Sequence, residues 1–199
     1  MDRFKEHFKM NEDDIKVYTV EKLKLFENID DVVVSEIGDG NINYVFKAFD
    51  KKSNKSIVIK QADKLLRSSQ RPLDIDRSRI EAEVMMFYSR VAKDYVPYIY
   101  DYDNVMCALT MEDISDCENL RHGLMKCKIY KNFAEDITTF MVNTLVPTMD
   151  IAMNPWEKKE NVKRYTNIEL CDITEKLVFT DPYTNFYGTN IVLDESKDF

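Results

Sequence analysis

The sequence predicts an α+β fold, a strand-rich first half followed by a helical second half. Three observations carry that prediction. Three consecutive valines at 32–34 and the apolar stretches at 44–49 and 57–60 favour extended chain, because β-branched and aromatic side chains fit a pleated surface. Short polar or glycine-bearing segments separate these stretches and leave room only for tight turns. From Phe133 onward the apolar residues recur at helical spacing instead. The change falls near 114–116, dividing the chain into residues 1–114 and residues 115–199.

Taken in order, residues 17–25 read as a helix and residues 32–37 as the first strand. Gly38 and Gly40 supply the backbone freedom of a tight turn into a second strand at 44–49. The polar run DKKSNK at 50–55 turns the chain into a third strand at 57–60, completing a meander. Asp76 is placed to cap a helix reaching about residue 93, with Ile80, Val84, Phe87, Tyr88 and Val91 on one stripe. Pro97 closes that region, and residues 105–111 read as an apolar strand stopping at Glu112. Beyond it, Phe133, Ile137, Phe140, Met141 and Leu145 mark a helix. Asn154, Pro155 and Glu157 offer an N-cap, a proline at the first helical position and a glutamate at the third. Leu170, Ile173 and Leu177 imply a last helix before Asp181-Pro182.

Composition narrows the function. With 44% hydrophobic and 12% aromatic residues among 199, the chain can bury a core. A net charge of -8 argues against a nucleic-acid surface, which needs clustered Lys and Arg, yet one nucleotide needs only a few local donors. Cys107, Cys117, Cys127 and Cys171 form no CxxC pair and, with His7 and His122 the only histidines, no zinc spacing, so reduced and mainly buried thiols are expected and no metal ligand is assigned. The N-terminus lacks a signal-like apolar region and no apolar run approaches 18 residues, so the expectation is a cytoplasmic protein with no membrane partner.

The order of three segments points to chemistry. EIGDGNINYVF at 36–46 places a glycine-bearing turn between strands, SIVIKQA at 56–62 places Lys60 on a strand, and TMEDI at 110–114 runs a strand into an acidic linker. Phosphoryl transfer needs a backbone lid over the phosphates, a cation at them, and an anion aiming that cation. Residues 38–43, with Gly40 letting amides approach an anion, could be the lid, Lys60 the cation, and Glu81 or Glu83 on the next helix the anion. This is the order of a protein-kinase-like N-terminal lobe, antiparallel sheet plus helix, followed by an incomplete helical C-terminal lobe. Taken singly, each feature is ordinary: a strand-ending lysine is usually solvated, and helix glutamates usually form a wet face. Lys64, Arg67 and Arg71 read as a solvated face, and His122 lacks the positioned partner a catalytic histidine needs, so no residue of this chain is assigned a catalytic role.

The same segments, with IDRSRIEAE at 75–83, VPYIYDYD at 96–103 and above all NIELCDITEKLVFTDPY at 167–183, closely resemble the S-methyl-5-thioribose kinase family. The resemblance implies a two-lobed, protein-kinase-like enzyme that uses Mg-ATP to phosphorylate the 1-hydroxyl of methylthioribose in methionine salvage. It implies that Asn43, with Asn41 beside it, and Lys60 contact the ATP phosphates, that Glu81 partners Lys60, and that Glu112, Asp113 and Ile114 form the inter-lobe linker reading adenine. Linker C=O and N–H groups can match the adenine edge whatever their side chains. The chain departs from the family at 68–71, where it reads Ser-Ser-Gln-Arg.

The family's catalytic His-Gly-Asp run does not occur in these 199 residues, and the Mg ligands are expected in the C-terminal half beyond them. The chain alone is therefore expected to be an inactive N-terminal portion, with apolar helix faces that would pack on the other half. Expected partners are ATP and methylthioribose, with a homodimer left open. A non-catalytic nucleotide-binding or regulatory module, and a fragment of a related small-molecule kinase, fit the same residues.

Overall fold

The computed structural model describes residues 3–37, 42–65 and 72–184. Its centre is one antiparallel sheet of β1 (Val32–Glu36), β2 (Tyr44–Asp50), β3 (Lys55–Gln61), β4 (Ile99–Asp103) and β5 (Ala108–Glu112), in the spatial order β1-β2-β3-β5-β4. The meander of the first three strands is the one the sequence predicts. Asp50 closes the β2–β3 turn by accepting the N–H groups of Lys52 and Ser53 at 3.2 and 3.1 Å, and Asn54 takes the left-handed conformation asparagine tolerates.

The register assigns each side chain a face. Ala48 lies opposite Ile57, Phe46 opposite Ile59 and Ile59 opposite Thr110, and with Val32, Val34 and Ala108 they form a buried apolar face. Val45, Lys60 and Leu109 are register partners on the other face.

The apolar face is covered by the chain's own N-terminal segment. Phe4, Met10, Ile15, Tyr18 and Phe26 are buried against it, and the Phe4 and Tyr18 rings meet edge to face at 5.0 Å. The helix expected at 17–25 begins earlier, as α1 (Glu12–Val17), and runs into a π-helical turn at Tyr18–Lys22. Asn11 sets that start: its Oδ1 accepts the Asp14 N–H and the Asp14 carboxylate accepts the Asn11 N–H, both at 2.9 Å, a reciprocal capping box. Gln61, fully buried at the end of β3, donates from Nε2 to the carbonyls of Phe8 and Met106 and accepts from the Met10 N–H, tying the segment to the sheet.

The strand expected at 105–111 is shorter and has a partner not foreseen. Residues 104–107 form the tip of a β4–β5 hairpin, because Asp103 Oδ1 takes the N–H groups of Val105 and Met106 at 2.8 and 3.0 Å and Cys107 adopts a φ of 49°. The helix after the meander, α2 (Arg77–Val91), stops two residues short of 93. Asp76 does not cap it: its own backbone is helical, and its carboxylate instead grips Arg79 Nε and Nη2 at 2.7 and 2.6 Å.

The later residues form α3 (Leu120–Met125), α4 (Phe133–Leu145), α5 (Pro155–Tyr165) and α6 (Ile168–Glu175). Phe140 of α4 packs on Tyr88 and Tyr95, while Phe133, Ile137, Met141 and Leu145 remain exposed. As the sequence predicts, Asn154 begins α5, its Oδ1 accepting the Trp156 N–H at 2.8 Å. The chain divides into two compact units, Met1–Arg164 and Tyr165–Phe199. The expectation of mainly buried thiols holds only for Cys107; Cys117, Cys127 and Cys171 are exposed. No helix among the described residues is long and apolar enough to cross a membrane.

Candidate nucleotide-binding site

Strand alternation turns Lys60 away from the apolar core, towards the face on which α2 lies. Lys60 Nζ donates to Glu81 Oε1 at 2.5 Å, with the two side chains 30% and 36% exposed, so the pair sits where water and a solute can reach it. Glu83 lies two positions on, about 200° around the helix, and belongs to a different cluster. Arg164 donates to it from Nε and Nη2 at 2.7 and 2.8 Å, and Arg79 approaches at 3.2 Å. Hydrogen bonds from Arg164, ahead of those from Arg79, outweigh desolvation and hold the Glu83 carboxyl below its ordinary value.

Asn43 is buried at the entrance to β2, its Oδ1 accepting from Arg77 Nη2 at 3.2 Å. Arg77 also donates to the carbonyls of Leu73, Asp74 and Asp63. It thereby ties the start of α2 both to Asn43 and to the chain leaving β3, while burial pushes its guanidinium pKa down. Sequence reading passed over Arg77, although a basic residue opening a helix runs against the helix dipole and signals another duty. The lid read at 38–43 falls, for residues 38–41 and hence for Gly40 and Asn41, outside the described residues, as do Arg67 and Arg71.

At the far end of β5 the Glu112 N–H donates to the Tyr98 carbonyl at 2.8 Å, and its carboxylate accepts the Tyr98 N–H at 3.0 Å. Asp113 follows with its side chain only 5% exposed, and Ile114 is 47% exposed. Burial pushes the Asp113 carboxyl upward, but hydrogen bonds from Lys47, Ser115 and Ser56 outweigh it and hold the group well below the usual carboxylate range. Glu112 lies opposite Ile57 in the register, three residues along β3 from Lys60, a separation of roughly 10 Å at strand rise. A nucleotide's base and phosphates span a comparable distance. A cleft of about 500 Å³ beside the linker, lined by Tyr95, Tyr98, Glu112, Ile114 and Cys117 among others, does not include Lys60.

Among the described residues no group of three or more His, Cys, Asp or Glu side chains could hold a metal ion. A strand cation with its helix anion and a structured linker suit a nucleoside triphosphate.

An antiparallel sheet with a helix on the face bearing a lysine–glutamate pair defines an α+β, protein-kinase-like lobe. No family model matches the sequence. Individual proteins do match it. A methylthioribose kinase of Bacillus pumilus (strain SAFR-032) is 43% identical over 81% of this chain and 41% of its own length. One from Bacillus velezensis (strain DSM 23117 / BGSC 10A6 / LMG 26770 / FZB42) is 38% identical over 89% of the chain and 45% of its length. One from Yersinia pseudotuberculosis serotype O:1b (strain IP 31758) is 38% identical over 80% and 40%. The chain spans less than half the length of the curated relatives it matches, and by sequence it is a relative of the methylthioribose kinases.

Proposed function

We propose that residues 1–114 are the ATP-binding lobe of a methylthioribose kinase, with residues 115–199 the start of its helical lobe. Lys60 takes the phosphates and Glu81 holds its ammonium in place. Asn43, with Gly40 and Asn41, belongs to the lid, and the backbone of Glu112, Asp113 and Ile114 meets adenine. The observation that carries this reading is the Lys60–Glu81 pair on the face away from the core, one nucleotide's length from the linker. The relatives' name supports methylthioribose as acceptor and hence a cytoplasmic role in methionine salvage. Bound magnesium would supply charge neutralisation at the phosphates.

The test is calorimetric titration of the chain with Mg-ATP. Losing a charge-assisted contact weakens binding by about tenfold to a hundredfold, so Lys60→Ala should do so, with Glu81→Gln weakening it less. ATP binding that Lys60→Ala leaves untouched would remove the reading. Because no His-Gly-Asp run supplies a base for the sugar hydroxyl, the isolated 199 residues bind nucleotide without turnover. ADP formation with methylthioribose would contradict that.

A further inference from the structure

Asp113 is anchored far more firmly than a connecting residue requires. Its Oδ2 accepts Lys47 Nζ from β2 and Ser56 Oγ from β3, each at 2.6 Å. Its Oδ1 accepts the Ser115 N–H at 3.0 Å and the Ser115 hydroxyl, and Lys47 Nζ also reaches Ser115 Oγ at 3.1 Å. Lys47 and Ser56 lie on the same sheet face as Lys60, since Lys47 pairs with Val58 and Phe49 with Ser56. The sheet has no need of this cluster for cohesion. Strands β2, β3 and β5 are joined by continuous ladders that do not depend on it. What the ladders do not reach is the first residue past the end of β5. That residue is Asp113.

We propose that Asp113 is a positioning residue that locks the backbone of residues 112–114 in one orientation and so makes the linker select adenine over guanine nucleotides. The inference rests on the nucleotide-binding reading above. Adenine offers an exocyclic N–H donor beside a ring-nitrogen acceptor, whereas guanine offers a carbonyl acceptor beside a ring N–H donor. A linker presenting one carbonyl and one N–H in fixed order satisfies adenine and leaves both groups unpaired against guanine, a mismatch that costs far more than a lost apolar contact. A linker free to rotate its peptide groups can meet either base, so fixing the backbone is what creates the discrimination.

The test compares ATP and GTP affinities of the chain and of Asp113→Ala, Asp113→Asn, Ser56→Ala and Lys47→Met, with a thermal melt of each to establish that it is folded. Asp113→Ala should weaken ATP by about tenfold while GTP changes little, narrowing the ATP/GTP ratio. Ser56→Ala and Lys47→Met narrow it less, in the same direction, and stand in for Asp113→Ala should that variant not fold. Asp113→Asn, which keeps an acceptor for the Ser115 N–H but loses the charge facing Lys47, falls between. Folded variants that keep the wild-type ratio overturn the proposal while Lys60→Ala still weakens ATP. A chain binding neither nucleotide removes the proposal together with the reading beneath it.

Discussion

Asp113 and Tyr18 are pushed by the same force, desolvation, and end on opposite sides of their ordinary pKa values. At Asp113 four donors overcome burial and the carboxyl is depressed. Its stabilisation is therefore present above the unfolded carboxylate value of about 3.9 and is lost as pH falls towards the lower folded value. Urea titrations down the acid range should show Asp113→Asn with a flatter loss of stability below about pH 4 than wild type; parallel acid limbs would sink that assignment. At Tyr18 burial comes first, the Asp103 charge adds to it, and the phenol is pushed well up. Its contribution is complete below the unfolded phenol value of about 10 and is lost as pH rises through the higher folded one. Tyr18→Phe should thus flatten the alkaline limb above about pH 10 while costing about 1 kcal/mol at neutral pH, where its 3.2 Å bond to Asp103 is gone. Neither residue was legible as a network member. Lys60 was, with Glu81 or Glu83 as its partner, and the family resemblance chose Glu81 between them, whereas the partners of Asp113 lie 66 and 57 residues away, at Lys47 and Ser56.

Among the elements, the meander could be read from its β-prone stretches and the turn residues between them, but β4 could not. Asp101 and Asp103 bring acidic residues into a strand, and its place in the sheet comes from the hairpin that Asp103 closes and from Tyr18 and Lys22 reaching Asp103. The N-terminal segment was likewise underestimated. Its anchoring depends on Gln61, whose amide serves the Phe8 and Met106 carbonyls and the Met10 N–H at 2.8, 3.0 and 2.9 Å. Gln61→Leu would leave these buried groups unpaired, with a stability loss of about 3 kcal/mol or more. Hydrogen exchange should localise that loss, with faster exchange concentrated at residues 4–26 and along β3. Exchange accelerated equally throughout the sheet and α4 would show instead that Gln61 acts as general core filling.

Over the whole molecule, burial is concentrated in the sheet and the segment covering it. Among the described residues, the cluster formed by Phe4, Ile15, Tyr18, Phe46, Ile59 and their neighbours contains none beyond Ala108. By contrast Met125, Ile129, Ile151 and Trp156 are 72, 86, 87 and 73% exposed. The strand-then-helix order was legible because hydrophobic period changes near 114, but periodicity reports which face is apolar and says nothing of whether that face is covered. Local stability follows buried apolar contact, so the two regions should open with different free energies although one chain joins them. Limited proteolysis of the chain should cut first within residues 115–132, where the short α3 contributes only Gly123 to the interior, and leave a product close to residues 1–114. That product keeps the core and the Lys60–Glu81 pair and, where it extends through Ser115, the whole Asp113 cluster, so in that form it should retain Mg-ATP binding close to that of the whole chain. Early cleavage within β1–β3 would remove the division at 114. A resistant 1–114 product that no longer binds ATP would place part of the nucleotide site in the helical residues.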